Sequence, residues 1–378
     1  MKTVTLIATA AMGLESVVAT EVKQLGYDVT VENGKVIFEA PMSAIPRCNL
    51  WLRTADRVKL QVGKFKATSF DELFESTKGL PWEEFIAEEG LFPVSGKSVN
   101  SKLFSVPDCQ AIVKKAITER LKLKYGLASK MPETGAAYKV EVALLKDTAT
   151  LLIDTSGVGL HKRGYRVGQG DAPLKETMAA ALVMLTNWKP EYQLIDPFCG
   201  SGTIAIEAAL IGQNIAPGFN REFDSENWPI IRNKYWENAF EEVEDKANYD
   251  QKLDITGSDI DHKLIKIASD NATEAGLGDL VSWKQMQVRD LFIRKDNGYI
   301  IGNPPYGERL SDKKAVAEIY NDFGNIMKDH PSWSVYILTA FDNFEKEYGE
   351  KATKKRKLFN GFIQTNYYQY FGKRIKGE

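Results

Sequence analysis

One stretch constrains the fold of this 378-residue chain more than any other: Leu194-Ile195-Asp196-Pro197-Phe198-Cys199-Gly200-Ser201-Gly202-Thr203, an apolar run that ends in a glycine-rich turn and continues into helix-forming residues. Glycines in such a turn adopt backbone conformations closed to other residues and let a ligand approach closely. On either side of it, β-like and helical runs alternate. Helices are expected over 173–185, 203–210, 262–275 and 316–327, with strands over 192–195, 255–258, 280–283, 299–301 and 334–339. That alternation predicts an α/β, doubly wound, Rossmann-like domain, a parallel sheet with helices on both faces. The Tyr- and Phe-rich stretch 361–371 is expected as its last strand. An aromatic-dotted insertion over 214–250 reads either as a base-binding lid or as a satellite core.

The amino-terminal half follows another pattern. A short strand over 4–8 precedes a helix whose Leu14, Val17, Val18, Val22 and Leu25 fall at helical spacing and which Gly26 ends. Strands 27–31 and 35–39 flank Asn33-Gly34, a strong hairpin signal, and 57–65 is a further strand. A second α+β unit is expected from helices 70–76, 82–88 and 107–125 and strands 92–99, 138–145 and 149–153. The resulting division is 1–66, 67–155, a glycine-rich linker 156–172, and 173–378.

Charge at first argues against a nucleic-acid partner, because 49 Lys and Arg against 51 Asp and Glu leave a net −2. Residues 1–170, however, carry 23 basic and 19 acidic side chains, against 26 and 32 in the remainder. The excess concentrates between Lys97 and Lys130, with Lys102, Lys114, Lys115, Arg120, Lys122 and Lys124 between them and only Asp108 and Glu119 opposing. Such a cluster reads either as a phosphate-binding surface or as a solvated helix face. Lys354-Lys355-Arg356-Lys357 reads as a turn, with Lys355 and Arg356 expected on RNA backbone. Cys48, Cys109 and Cys199 have neither disulfide nor metal spacing, so no metal is expected and a reducing cytoplasm is. No run of 18 apolar residues predicts a membrane span.

Three cofactors compete for the glycine-rich turn. A triphosphate loop requires a Lys after its glycines, which is missing, while Gly200-Ser201-Gly202-Thr203-Ile204-Ala205 formally matches a dinucleotide fingerprint. Asp196 tips the balance, since an acid at the strand tip repels a pyrophosphate and pairs with the amino group of an aminoacyl ligand such as S-adenosylmethionine. Gly257-Ser258-Asp259-Ile260-Asp261 puts an acid at the next strand end, where it can hold ribose hydroxyls, and Asp290 follows a third strand, placed to accept from an adenine amino group.

A second motif, Asn303-Pro304-Pro305-Tyr306, ends the fourth strand. It reads as a rigid Pro-Pro turn or as a base-amine site. In the second reading the Asn303 side-chain oxygen and the Pro304 carbonyl accept both N–H bonds of an exocyclic amine, freeing its lone pair. Tyr306 stacks on the base, a contact of ~1–3 kcal/mol. Cys199 reads as a small packing residue rather than as a nucleophile.

The Asp196–Thr203 and Asn303–Tyr306 motifs together resemble the amino-directed class of S-adenosylmethionine-dependent methyltransferases. With the Gly13-Leu14-Glu15 opening, the stretch from Lys102-Leu103-Phe104 to Lys115, and Leu160-His161-Lys162-Arg163-Gly164-Tyr165-Arg166, the chain is similar to bacterial THUMP-containing 23S rRNA guanine-N2 methyltransferases. The resemblance implies a ferredoxin-like domain over 1–66, a THUMP domain over 67–155 and methyl transfer by 173–378. The cofactor would meet Asp196, Pro197, Phe198, Cys199, Gly200, Gly202, Thr203, Asp259, Ile260 and Asp290, enclosed by Lys175 and Glu176. The target base would be held by Asn303, Pro304, Pro305 and Tyr306, and RNA by Lys97, Lys102, Lys114, Lys115, Lys122, Lys355 and Arg356. The expected partner is 23S rRNA or a large-subunit precursor, bound by a monomer. A tRNA guanine-N2 enzyme, a DNA adenine or protein-glutamine enzyme, and a non-catalytic RNA-binding factor are the alternatives.

Overall fold

The computed structural model describes residues 3–170, 173–307 and 312–373; Asp171 and Ala172, in the expected linker, lie outside them. The chain divides into two units. One comprises the described parts of Met1–Ala10, Val18–Leu160 and Arg221–Val243, the other those of Ala11–Val17, His161–Asn220 and Glu244–Glu378.

The chain starts with β1 (Thr3–Ala10), α1 (Glu15–Gln24), β2 (Val29–Glu32), β3 (Lys35–Pro41), α2 (Ala44–Trp51) and β4 (Ala55–Lys66). Next come α3 (Phe70–Lys78), β5 (Val94–Val99), α4 (Val106–Tyr125), β6 (Lys139–Leu145) and β7 (Thr148–Asp154). The seven strands form one sheet, ordered β2-β3-β1-β4-β7-β6-β5. The long β4 pairs antiparallel with β1 on one side and β7 on the other, so the strands before and after residue 66 share one sheet. Asn33-Gly34 makes the expected two-residue turn, with Glu32 opposite Lys35. Lys146 and Asp147 make another with φ of +49° and +60°, and the Asp147 carboxylate anchors it by accepting the Lys102 backbone N–H at 2.7 Å.

Two segments here differ from what the sequence predicts. Helix α2 has no sequence expectation because Pro46 interrupts its run, yet a proline in the first turn removes an N–H that has no helical partner. The expected helix over 82–88 reduces to a 3₁₀ turn at Trp82–Glu84, where the buried Trp82 indole donates to the Thr77 carbonyl at 2.7 Å. Tertiary packing of that one ring fixes the segment.

The second part continues through α5 (Glu176–Met184), β8 (Leu194–Asp196), α6 (Thr203–Gly212), α7 (Asn233–Lys246), β9 (Ile255–Asp259), α8 (His262–Glu274) and β10 (Val281–Gln285). It ends with β11 (Tyr299–Gly302), α9 (Asp312–Lys328), β12 (Ser334–Thr339), α10 (Phe344–Tyr348), β13 (Lys354–Asn360) and β14 (Ile363–Tyr370). Its sheet runs β10-β9-β8-β11-β12-β14-β13, with the first five strands parallel. Chain order reverses between β8 and β11, the switch point at which open α/β sheets hold ligands. Helix α6 is buried from Thr203 to Leu210 and is apolar on every side except at Glu207.

The four charges at 354–357 form a strand rather than a turn. β13 is the sheet edge, where charged side chains protect unpaired backbone from other chains. The aromatic part of the insertion, 221–243, is neither lid nor separate core but packs into the first unit. Trp228 is 1% exposed, stacks on Tyr138 with ring centroids 4.7 Å apart, and donates its indole N–H to the Ala137 carbonyl at 2.9 Å, while Phe223 stacks on Trp236. Among the described residues no helix is long and apolar enough to cross a membrane. Trp228→Ala is expected to destabilise this unit by about 3–5 kcal/mol, read from urea unfolding.

Candidate active site

Strand β8 delivers Asp196 to the switch point with 1% of its surface exposed. The Phe198 backbone N–H donates to Oδ1 at 3.1 Å, and among the described residues nothing donates to the buried Oδ2. Burial, and secondarily the charge of Asp259, push this carboxyl up to about 8. A buried acid with one oxygen unmet is a site for a cationic group.

The turn after Asp196 wraps this position. Gly200 and Gly202 have φ of +53° and +84°, and Cys199 accepts the Gly202 N–H at 2.8 Å. A Cβ on Gly202 would lie 2.6 Å from the Trp283 ring and 2.9 Å from the Ala268 methyl, and one on Gly257 would collide with the same indole. Trp283, which no motif announced, thus fills the space under both glycines. Asp259 accepts the Gly200 N–H on Oδ2 and the Asp261 N–H on Oδ1, each at 3.0 Å. Each oxygen keeps a second acceptor position for a hydroxyl. Burial, with Asp196 and Asp259 nearby, pushes the Cys199 thiol well above its ordinary range, which disfavours the nucleophilic thiolate.

These residues line one cavity of about 610 Å³, a size suited to a nucleoside-sized ligand. Asp196, Pro197, Phe198, Cys199, Gly200, Thr203, Asp259 and Ile260 line it, together with Asn303 and Pro305. Gly202, Lys175, Glu176, Asp290, Pro304 and Tyr306 are not among its lining residues. The wall near Asp290 is instead Met286, Gln287, Val288 and Arg289, with Asp290 exposed just beyond. Lys175 is exposed at the start of α5.

Glu176 is buried and structural: it accepts from Arg166 Nε at 2.7 Å. The rest of the Arg166 fork reaches Ser201 Oγ, Thr203 Oγ1 and the Leu174 carbonyl, each at 3.1 Å. Asn271 adds a second clamp, accepting the Val167 and Gly168 N–H groups and donating to the carbonyls of Gly168 and Ser201. Beneath both, Glu207, 0% exposed, meets Arg163 at 3.4 Å and the Tyr165 hydroxyl at 3.0 Å. The linker thus braces the cavity wall from behind, and its Gly170 lines the cavity itself. The sequence hints were Lys162, Arg163 and Arg166 in a glycine-rich stretch and the resemblance of Leu160–Arg166 to the family's own segment.

Asn303 follows β11 and is half-buried. Its Oδ1 accepts the Tyr306 hydroxyl at 2.6 Å, and Asn360 Nδ2 donates to that hydroxyl at 3.3 Å. The Pro305 carbonyl is taken by the Tyr320 hydroxyl at 2.7 Å; among the described residues nothing donates to the Pro304 carbonyl.

The expected RNA-facing lysines are more neutralised than their count implies. Lys97 pairs with Glu141 at 3.0 Å, Lys114 with Glu133 at 2.7 Å, and Arg120 with Glu83 at 2.6 Å. Lys102 and Lys115 are exposed, and Lys122 is half-buried. In the other unit Lys355 pairs with Glu345 at 2.6 Å, and the Arg356 fork binds the Gly13 carbonyl and Ser16 Oγ. Arg356 is thus engaged within the protein.

Parallel sheet, switch-point cavity, unmet buried acid and an acid at the neighbouring strand end define an S-adenosylmethionine-dependent methyltransferase. The chain belongs to the RMKL-like methyltransferase family, whose methyltransferase-domain profile matches residues 163–369; profiles of the RlmL ferredoxin-like domain and the THUMP domain match 5–59 and 67–154. It is 64% identical over 374 residues to the Bacillus subtilis (strain 168) protein named "Putative RNA methyltransferase YpsC", covering 99% of this chain and 97% of that one. It is 31% identical to the ribosomal RNA large subunit methyltransferase K/L of Shewanella frigidimarina over 94% of this chain, and spans about half, 51%, of that relative. Among crystal structures, a protein of Listeria monocytogenes described as a predicted N6-adenine-specific DNA methylase shares 60% identity, with a TM-score of 0.95 over 99% of this chain and 97% of that one. SMU.472, complexed with SAH, shares 47% identity, with a TM-score of 0.96 over the whole of both chains.

Below pH 8 the empty site holds Asp196 protonated, and pairing with an ammonium requires the carboxylate. Binding of S-adenosylmethionine at pH 7 should therefore release close to one proton, and affinity should fall up to about tenfold per unit as pH drops below 8. Calorimetry in buffers of different ionisation enthalpy measures the release, which Asp196→Asn abolishes. Because the folded-state value of about 8 lies above the ordinary 3.8, stability is lost progressively as pH rises from about 4 to about 8, and the ligand-free Asn variant should melt above wild type at pH 8. Arg166→Lys, which cannot reproduce the planar fork, should weaken cofactor binding by about 10- to 100-fold in the same calorimeter.

Proposed function

We propose that the protein methylates the exocyclic N2 of a guanine in 23S rRNA. The observation that carries this reading is the placement of Asn303 and Asp196 on one cavity, at the ends of the paired strands β11 and β8. Asp196 would take the amino group of S-adenosylmethionine, Asp259 its ribose hydroxyls, and the Met286–Arg289 wall its adenine. Bound there, the cofactor supplies an electrophilic methyl on sulfur.

The remaining chemistry belongs to the chain. An exocyclic amine is a poor nucleophile because its lone pair is delocalised into the ring. Asn303 Oδ1, with one acceptor position left beside the Tyr306 hydroxyl, and the Pro304 carbonyl would accept its two N–H bonds and turn the lone pair toward the methyl. The N–C bond forms as the S–C bond breaks, and the surplus amine proton leaves to solvent. Tyr306 would stack on the extruded base. This is catalysis by positioning and electrostatics.

The THUMP and RlmL-type domains and the naming of the K/L relatives support ribosomal RNA as substrate; the choice of guanine N2 rests on the family resemblance. The description of the Listeria structure favours adenine N6 in DNA as the second reading, and the same acceptor pair serves either amine. The test is labelled methyl transfer to unmethylated 23S rRNA, to tRNA and to duplex DNA, followed by nucleoside analysis. N2-methylguanosine in 23S rRNA is the expected product, and label confined to tRNA or to N6-methyladenine overturns the reading. Asn303→Ala should lower kcat on the order of 100-fold while the cofactor dissociation constant changes little.

A further inference from the structure

The β13–β14 hairpin ends in a two-residue turn, Gly361-Phe362, between the paired residues Asn360 and Ile363. Gly361 has a φ of +62°, and the side chain of Phe362 is fully exposed, at 105%. A large aromatic ring at the apex of a short turn contributes no packing to the fold and leaves its whole apolar face in water. The strand that carries it is basic: Lys354 and Lys357 are exposed, and Lys357 Nζ lies 5.4 Å from the centre of the Phe359 ring. The turn is also wired to the candidate catalytic residues. Asn360, immediately before it, donates to the Tyr306 hydroxyl, and that hydroxyl donates to Asn303 Oδ1. An exposed aromatic ring, a strand with exposed lysines leading up to it and a hydrogen-bonded link to the acceptor of the target amine thus belong to one hairpin.

We propose that Phe362 is a stacking platform for the nucleobase next to the methylated one, an inference that rests on the RNA methyltransferase reading. A base inside a helix must leave the stack before its amine can reach Asn303, which exposes the faces of its neighbours. An aromatic ring beside the receiving site covers one such face. Stacking of this kind is indifferent to base identity, so the hairpin holds the opened RNA while Asn303 and Tyr306 act on the extruded base. Lys357 and Lys354, further back along β13, supply matching charge for phosphates more distant along the same RNA strand.

The experiment compares wild type, Phe362→Ala, Phe362→Trp and, as an exposed-aromatic control elsewhere on the same unit, Tyr249→Ala, using the full chain and unmethylated 23S rRNA transcript. Phe362→Ala should lower kcat/KM for RNA by about 10-fold or more. Phe362→Trp should restore it, Tyr249→Ala should match wild type, and the cofactor dissociation constant and Tm should not move, because a fully exposed ring supports neither. A wild type that methylates RNA while Phe362→Ala retains its full kcat/KM overturns the platform alone. A wild type that methylates no RNA overturns the functional reading and the platform with it.

Discussion

The burial of one carboxyl organises the catalytic domain. Asp196 is carried into the sheet by a three-residue strand, given one backbone donor and left with an unmet oxygen, at a cost that an isolated domain would not bear without return. The surrounding structure keeps that oxygen buried at the wall of the cavity. Left-handed glycines turn the chain around it, Trp283 blocks the space behind the glycines, and Asp259 ties the turn to the next strand. Replacing the acid would ease the fold, and its presence marks a site shaped for a cation.

A second layer holds the first. Arg166, Asn271 and the Glu207–Arg163–Tyr165 cluster fasten the segment 163–168 to the first turn of α6 and to the start of α5. The glycine-rich turn therefore has a polar frame on its outer side as well as an aromatic floor beneath it. A guanidinium suits this task because its donors point in fixed directions and stay charged.

Sequence reading recovers what is local. The glycine-rich turn, the Asn-Pro-Pro-Tyr turn and the Asn33-Gly34 hairpin are each written in a few consecutive residues whose backbone demands are specific. It misses what depends on partners far along the chain. Glu83, Glu133 and Glu141 neutralise lysines and an arginine from outside the basic window, so charge counted by segment overstated the free cation. Trp283 looks like any strand aromatic until Gly202 and Gly257 are placed above it. Four consecutive charges concealed β13 because alternation, the usual mark of a strand, is not required at a sheet edge, and Pro46 concealed α2 because its harm depends on where in the helix it falls.

The two units are interleaved along the chain, and this bears on how the protein is made. The first unit includes residues 221–243, so it is complete, with Trp228 packed on Tyr138, only once the 83 residues beyond its main body at 160 have been synthesised. At ribosomal speeds that gap lasts about 4–17 s. Residues 11–17, by contrast, are translated well before the rest of the second unit to which they belong, where Arg356 binds Gly13 and Ser16. Each unit thus has a seam that closes late, and the nascent chain carries an open apolar surface next to Tyr138 for seconds, a window in which a chaperone or the ribosome surface would be its neighbour.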